Sequence, residues 1–598
     1  MLNQSLRIRL LVLGLLIFSV NIISAQEDDN LGTEVVNIIK PYNPTISDAF
    51  KVKENPLIKD SIMTKKKELN YTIFSVPVAS TFAPAKGKST SIEKTKPLIQ
   101  YDNYAILGIG NYTNIVAEFY SNFEINSTNN IGLSFKHNSS QGGIKNLLLD
   151  DNFHDTQLEG NFTSRQKDLN YEMSAGIKNQ LFNWYGLNNL YNTAPSQIIN
   201  SIASRHSYFS SFAEGSLVVE DSYFEKGTVG IRYLGDSFSS SEFNIKVKPD
   251  FGFDAIDFPL KIGVDIDYLI GNFERNYSDI SAIKYSFLNA GIIPSYEYRT
   301  EDLVLSIGIA AYMSLNAEKN KTNFYTYPKI EASYRLVDEL LIVYGGIDGG
   351  LDQNSYYNFI EENPFVSPTL FIQPTSNLYN GFAGLKGKLT NAIAYNIRAS
   401  YSKEDDKTLF NSNVYKGQDL TLEGYEYGNS FTVIYDDIES ISFFGELIFE
   451  VSTNFNLGIN GTYNSFDTTY EIEAWNLPSI QATLFTSFNI TEKLYGGASL
   501  FFVGERKDLF SSSIGGLPDN VKTLASYFDA NTHIGYRFNK KLSIFVRGSN
   551  LFGENYQKWI NLLVQLLGPI AIIILGLIIF FVAFAVVTPM MSLQQSVG

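Results

Sequence analysis

The sequence predicts an all-β fold: a transmembrane outer-membrane β-barrel of roughly 22 antiparallel strands. Three observations predict it. The first is the alternation in Ile441–Asn464, where Ile441, Phe443, Gly445, Leu447, Phe449 and Val451 interleave with Ser442, Phe444, Glu446, Ile448 and Glu450. Ser452-Thr453-Asn454 supplies a turn. Phe455, Leu457, Ile459, Gly461 and Tyr463 then alternate with Asn456, Gly458, Asn460, Thr462 and Asn464. Side chains on a strand point to opposite faces with period 2, so each arm has one greasy face and one mostly polar face. An arm of about 10 residues crosses a bilayer as a tilted strand.

Composition is the second observation. Charged residues make up 18% and aromatics 14%, with 37 Tyr and 44 Phe against 3 Trp, and the mean hydropathy is −0.06. Lipid-facing and lumen-facing residues cancel in such an average, and interfacial girdles account for the aromatic surplus. A soluble solenoid or propeller shares these numbers but has no need of strands matched to a bilayer.

The third observation is the rhythm of connections between Tyr101 and about Asn550. Short ones such as Thr453-Asn454, Ile490–Lys493 and Asn539–Lys541 alternate with long ones such as Asn183–Ser204, Gly346–Asn377 and Gly504–Val521. Short periplasmic turns and long outer loops are the asymmetry of outer-membrane barrels. Clear strands include Ile115–Phe123, Leu303–Met313, Leu494–Phe502 and Leu542–Gly548. Lys403–Tyr427 is ambiguous and changes the count by two.

Taken in order, residues 1–25 read as a secretory signal, with Arg7 and Arg9 ahead of apolar Leu10–Ile23 and Ser24-Ala25 before a cut at Gln26. Residues 26–100 read as an extended periplasmic arm without a folded plug. Pro41, Pro44, Pro56, Pro77 and Pro84 interrupt it, and it carries a lysine run at Lys65–Lys67. Within the arm, Thr33, Glu34, Val35, Val36, Asn37, Ile38 and Ile39 form a strand-prone run that can add to the edge of a periplasmic partner; a plain linker is the competing reading. Residues 101–559 make the barrel. From Ile560 to Val587 there is no charged residue, and Ile570–Val587 has the length of a membrane helix, about 17–25 residues. An apolar helix over 560–589 and a short tail, 590–598, therefore stand where a last strand is expected.

The net charge of −16 speaks against nucleic-acid binding and against a polybasic membrane-surface role. With no Cys, disulfides and thiolate metal sites are excluded, and the chain suits an oxidising compartment. His137, His154, His206 and His533 are far apart in sequence, and no cofactor is expected. Zinc-protease, nucleophile-elbow and phosphate-loop motifs are missing. The acidic stretch Asp150-Asp151-Asn152-Phe153-His154-Asp155 is expected in an outer loop. It offers a water-activating cluster or, through Asp150, Asp151 and Asp155, a weak Ca²⁺ site, against the plainer reading of a solvated loop.

Glu446, Glu450, Asn456 and Asn460 on the polar face of the hairpin, with Arg537 and Arg547 near the closure, are candidates to line a solute path. Polar groups must face a lumen in any case, because lipid offers them no partners. Trp184, Tyr185, Tyr356, Tyr357 and Trp475 are expected at the surface, stacking on a carbohydrate, docking a partner or anchoring at the membrane interface.

Several segments resemble a Bacteroidota family of outer-membrane proteins labelled TonB-dependent receptor. They are Thr33–Lys51, Pro77–Lys88, Asn183–Leu187 (NWYGL), Asn363–Thr369 (NPFVSPT), Ile441–Leu447, Phe501–Asp508 (FFVGERKD) and Asn555–Trp559 (NYQKW). The resemblance implies a short, plug-lacking member: a receptor or transporter-like barrel in the outer membrane of a Gram-negative bacterium, binding or passing a small solute without enzymatic chemistry. The alternative is a scaffold barrel that docks periplasmic or surface proteins. The tail departs from this family, and Ile560–Gly598 is instead similar to the last helix of type II secretion or pilus platform proteins.

Overall fold

The computed structural model describes residues 101–144, 146–187, 189–255, 258–510, 520–552, 556–560 and 562–564. The signal, the arm with its run Thr33–Ile39, and most of the tail lie outside the described residues. At the tail's beginning Ile560 is in a turn, and Leu562–Val564 is a short strand paired with Tyr556–Trp559, so helix does not begin at 560. No described helix is long and apolar enough to cross a membrane.

Twenty-one strands form one antiparallel sheet, each hydrogen-bonded to the next from Asn103–Ile109 onward. An inserted hairpin, Arg506–Phe510 with Asn520–Leu524, interrupts the series without joining the sheet. The flanking strands Leu494–Val503 and Tyr527–Arg537 pair directly, and Ser543–Gly548 follows. Lys403–Tyr427 resolves into the end of strand Ile393–Ser412 and a loop. No pairing joins Asn103–Ile109 to Ser543–Gly548 among the described residues.

The hairpin over Ile441–Asn464 is present with longer arms than its alternation marks. Its strands are Phe431–Ser452 and Phe455–Thr468, and Ser452 still pairs with Phe455, so the turn is Thr453-Asn454. Ile441, Phe443, Leu447, Val451, Ile459 and Tyr463 are all exposed, as an outer face against lipid requires. In Phe431–Ser452 the first ten positions are all buried or half-buried, and the exposed-and-covered alternation begins only at Ile441. The upper half of this strand is covered by other protein, whereas its lower half carries the apolar belt.

Short connections such as 125–128, 166–168, 338–340, 391–392, 453–454 and 490–493 lie at one end of the sheet. The long ones, 141–152, 184–204, 353–374, 413–430, 469–479 and 504–526, all lie at the other. The end with the long loops holds the largest cluster of buried apolar side chains among the described residues.

Candidate functional site

The segment between strands Leu341–Asp352 and Thr375–Thr390 folds into a short helix, Tyr356–Glu362, and an irregular run to Gln373. Ser355 caps the helix by accepting the Asn358 N–H at 3.1 Å. Glu242, 3% exposed on strand Ser241–Ala255, accepts the N–H groups of Tyr356 at 2.6 Å and Tyr357 at 3.1 Å and the Tyr285 hydroxyl at 2.8 Å. A carboxylate at orphan N–H groups satisfies donors that the helix cannot pair itself. The Tyr356 hydroxyl donates to Asp236 at 2.9 Å. Lys178 bridges Glu361 at 2.8 Å and Asp155 at 3.4 Å, and the Arg232 guanidinium lies 4.0 Å over the Tyr357 ring.

The run after the helix connects strands that are distant in sheet order. The Pro364 carbonyl accepts the Tyr208 hydroxyl at 3.1 Å and meets His206 Nε2 at 2.9 Å. Trp184 Nε1 donates to the Phe365 carbonyl at 3.0 Å, and its indole stacks on His206 with centroids 3.9 Å apart. On the opposite side Val366 makes an isolated bridge to Phe431, Ser367 N–H donates to the Phe431 carbonyl at 2.8 Å, and Asn413 donates to the Ser367 hydroxyl at 3.0 Å. Tyr435 donates to the Phe371 carbonyl at 2.9 Å while accepting the Gln373 N–H at 3.1 Å. One apolar cluster joins Tyr208, Phe273, Tyr356, Phe359, Val366, Phe410, Phe431 and Trp559. The loop thus ties strands of the first half of the sheet to strands of the second.

Neighbouring loops complete the layer. Tyr191, Ile202, Tyr415 and Tyr427 pack loop 184–204 against loop 413–430, and Asn429 donates to the Trp184 carbonyl at 2.8 Å. Glu426, 2% exposed, receives Arg275 at 3.0 Å and Lys416 at 2.7 Å. Arg506 donates to the carbonyls of Gln557 at 2.6 Å and Lys558 at 2.7 Å, and Asp508 accepts the Ile560 N–H at 3.1 Å. Burial pushes the Asp508 carboxyl up to about 6, against the hydrogen bond from Ile560, and burial lowers the Lys558 ammonium.

Four sequence motifs therefore meet in two contacts. Asn183–Leu187 joins Asn363–Thr369 through Trp184 and Phe365, and Phe501–Asp508 joins Asn555–Trp559 through Arg506. Trp184, Tyr356 and Trp475 are each 1% exposed, which corrects their expected place on the surface: they are the anchors of the layer. Trp475 donates to Glu471 at 2.8 Å and packs on Leu409 and Ile438. Loop aromatics read as surface residues because loops usually run over the surface. Their clustering beside Asn and Pro was the available signal of a folded loop.

The hairpin candidates fall into two facing pairs, Glu446 opposite Asn460 and Glu450 opposite Asn456. All four are half-buried, on the face away from the exposed apolar residues. Arg537 is held at the turn end, 4.0 Å over the Tyr495 ring and 3.3 Å from the Glu492 carbonyl. Arg547 pairs opposite His533 on the last strand and lines a cavity of about 220 Å³ with Asn531 and Ser499. The acidic stretch is dispersed. Asp151 accepts the Ile144 N–H at 2.9 Å, whereas His154 and Asp155 begin strand Phe153–Arg165 and engage Asn179 and Lys178. Asp150, Asp151 and Asp155 do not come together, and no metal-ligand cluster occurs among the described residues.

A long antiparallel sheet with an apolar outer belt, short turns at one end and packed long loops at the other defines the class: an outer-membrane receptor-type β-barrel fold. Comparison with solved structures agrees. The chain is similar to the ferripyoverdine receptor of the Pseudomonas aeruginosa outer membrane, with TM-score 0.56 and 15% identity over 78% of this chain and 70% of that one. It is also similar to the siderophore receptor PirA of Acinetobacter baumannii, with TM-score 0.55 and 12% identity over 77% and 78%. A third likeness is to the copper transporter OprC, with TM-score 0.52 and 13% identity over 76% and 74%. No family model and no curated protein matches the chain.

Proposed function

We propose that this chain is a non-enzymatic receptor or transporter-like barrel of a Gram-negative outer membrane, binding or passing a small solute. The carrying observation is the loop layer: Gln353–Gln373 and its neighbours cover the loop end by bonding to strands of both halves of the sheet. A wide sheet without a folded plug leaves an open lumen, and this layer supplies the obstruction from the chain's own loops. The likeness in fold to siderophore receptors and a copper transporter supports the same reading. The motifs at Asn183–Leu187 and Asn363–Thr369 support a short, plug-lacking Bacteroidota member. In this reading Glu446, Glu450, Asn456, Asn460 and Arg547 line the path, and Arg537 guards its turn end. Thr33–Ile39 pairs with a periplasmic protein after residues 1–25 are removed.

Planar-bilayer recordings on the purified chain test this. The intact chain is expected to pass little current, and a variant with 354–373 replaced by a short Gly/Ser linker is expected to conduct. Absence of current from both, with no solute uptake into liposomes, counts against transport. The scaffold alternative draws on the same layer, since a rigid surface of packed loops also suits docking; stable co-purification of one partner would favour it.

The apolar stretch from 560 is, on this proposal, foreign to the barrel. Replacing Ile560–Gly598 with an alternating strand ending in Phe should improve outer-membrane assembly, and equal assembly of both versions would refute that.

A further inference from the structure

The helix Tyr356–Glu362 does not lie flush on the strand wall. Between them is a cavity of about 140 Å³, lined by Lys178, Ser210, Phe212 and Arg232 on the wall and by Tyr357 and Glu361 on the helix. The wall residues come from three neighbouring strands, Leu169–Asn183, Arg205–Val219 and Phe224–Asp236. On these strands Ile177, Phe209, Ile231 and Tyr233 take the outer face, and alternation turns their neighbours inward. Lys178 stands opposite Ser210, and Phe212 opposite Arg232. Gly176 shapes the floor. A Cβ there would come within 2.7 Å of the Phe212 ring, so glycine lets that ring lie across the strand.

Each charged group around the cavity has a bonded partner except one. Lys178 is met by Glu361 at 2.8 Å and by Asp155 at 3.4 Å. Gln157 donates to Glu159 at 3.3 Å, and Glu242 receives the helix N–H groups. Arg232 is the exception. Among the described residues its guanidinium makes no hydrogen bond or ion pair; it lies 4.0 Å over the Tyr357 ring and acts on Glu242 only at longer range. The hydroxyls of Ser210, a buried residue, and of Tyr357 likewise make no hydrogen bond among the described residues. Covered donors left unmatched cost free energy, and a guanidinium carries five of them in one plane.

Three features set the chemistry that belongs there. The planar fork of Arg232 matches a carboxylate. Asp155, Glu159, Glu242 and Glu361 stand around it and repel a second negative charge, which selects a monoanion. A cavity of about 150 Å³ holds a benzene ring, so this space and the Phe212 ring suit a flat six-membered body.

We propose that the cavity between Tyr357 and the Lys178–Arg232 wall binds a small aromatic monocarboxylate, its carboxylate on Arg232 and Ser210 and its ring against Phe212. The entrance is beside Glu361, whose side chain is 37% accessible against 13% for Lys178. Resting on the reading of the chain as a solute-binding barrel, this site gives the solute a chemical class.

The probe is benzoate, offered to the full chain in detergent and read by saturation-transfer NMR. Benzamide has nearly the same shape without the charge. Saturable benzoate binding is expected, with benzamide weaker by about tenfold or more, the loss that a charge-assisted bond predicts. Arg232→Gln should weaken benzoate by a similar factor. Ser210→Leu fills the cavity with Arg232 still in place and should abolish binding, which keeps the test open if Arg232→Gln loosens the helix. Both variants are compared at unchanged protease resistance of 353–374.

No saturable benzoate binding overturns the proposal, as does equal binding of benzamide. Benzoate binding that both variants retain is partition into the micelle or a site elsewhere, and overturns it too. If the loop-deleted chain conducts while the intact chain binds no benzoate, this site fails and the solute-passing reading stands. Benzoate binding lost in both variants, without conductance from either chain, does the reverse.

Discussion

Trp184 Nε1 donates to the carbonyl of Phe365 across a sequence separation of 181 residues, and the same indole lies flat on His206. One side chain thereby fixes two loops to one strand. Its replacement tests whether the loop layer is a unit apart from the sheet. Trp184→Ala removes a large buried ring and should cost about 3–5 kcal/mol. We expect the loss in the layer alone: faster proteolysis within 353–374 and 413–430, with unchanged heat-modifiable mobility of the sheet on gels.

Glu242 holds the start of the helix through two N–H groups. Glu242→Gln keeps the shape and one acceptor but removes the charge, at a cost of about 1–3 kcal/mol for a charge-assisted bond. Hydrogen exchange should quicken at Tyr356 and Tyr357 while Ser367, bonded on the other side, stays protected. Uniform quickening across 353–373 would show that Glu242 is not a local clamp.

Asp508 predicts a pH dependence with a definite sign. Burial raises its folded pKa to about 6 from the ordinary carboxyl value of 3.8. The folded state therefore binds a proton between these values when the unfolded state does not. The resulting stabilisation is fully present below about pH 4 and is lost as pH rises through 6. Contact between 506–510 and 556–560 should tighten on acidification, by at most about 3 kcal/mol. Protease nicking near Tyr556, compared between pH 5 and 8, reads it. Asp508→Asn should flatten that difference.

The outer belt offers a contrast with these loop effects. Leu447 is 38% exposed on the lipid face, midway along the apolar part of its strand, and Leu447→Arg should cost about 2–4 kcal/mol there. We expect failure of insertion into lipid vesicles, with the loop layer's spectroscopic signature intact in detergent. On the opposite face, Glu446→Lys in the loop-deleted variant should move the reversal potential toward anion selectivity. An unchanged potential would remove Glu446 from the path.

The sheet was legible because its signal is local. Alternation at Ile441–Val451 states which residues meet lipid without reference to any other segment, and turns such as Thr453-Asn454 sit between alternating runs. Strand ends were less legible. Phe431–Ser440 lies under loops, so its side chains answer to protein on both faces and lose the two-sided contrast. The loop layer was hardest to read, since the partner of Trp184 is a backbone carbonyl in another loop, and no periodicity links them. The acidic stretch shows the converse error. Asp151, His154 and Asp155 fall within one five-residue stretch, but strand geometry sends His154 and Asp155 to opposite faces, where Asn179 and Lys178 take them up.

Strand Phe431–Ser452 has 22 residues, about 70 Å of chain at roughly 3.3 Å per residue. Tilted by about 45°, it rises roughly 50 Å, twice the height of a barrel's apolar band of about 25 Å. Its covered upper half therefore forms a parapet above the bilayer, and the loop layer hangs inside that parapet. Lipid contact and loop packing are thus separated on two storeys of one wall. Loops can shift above without disturbing the apolar belt of side chains that meets lipid below.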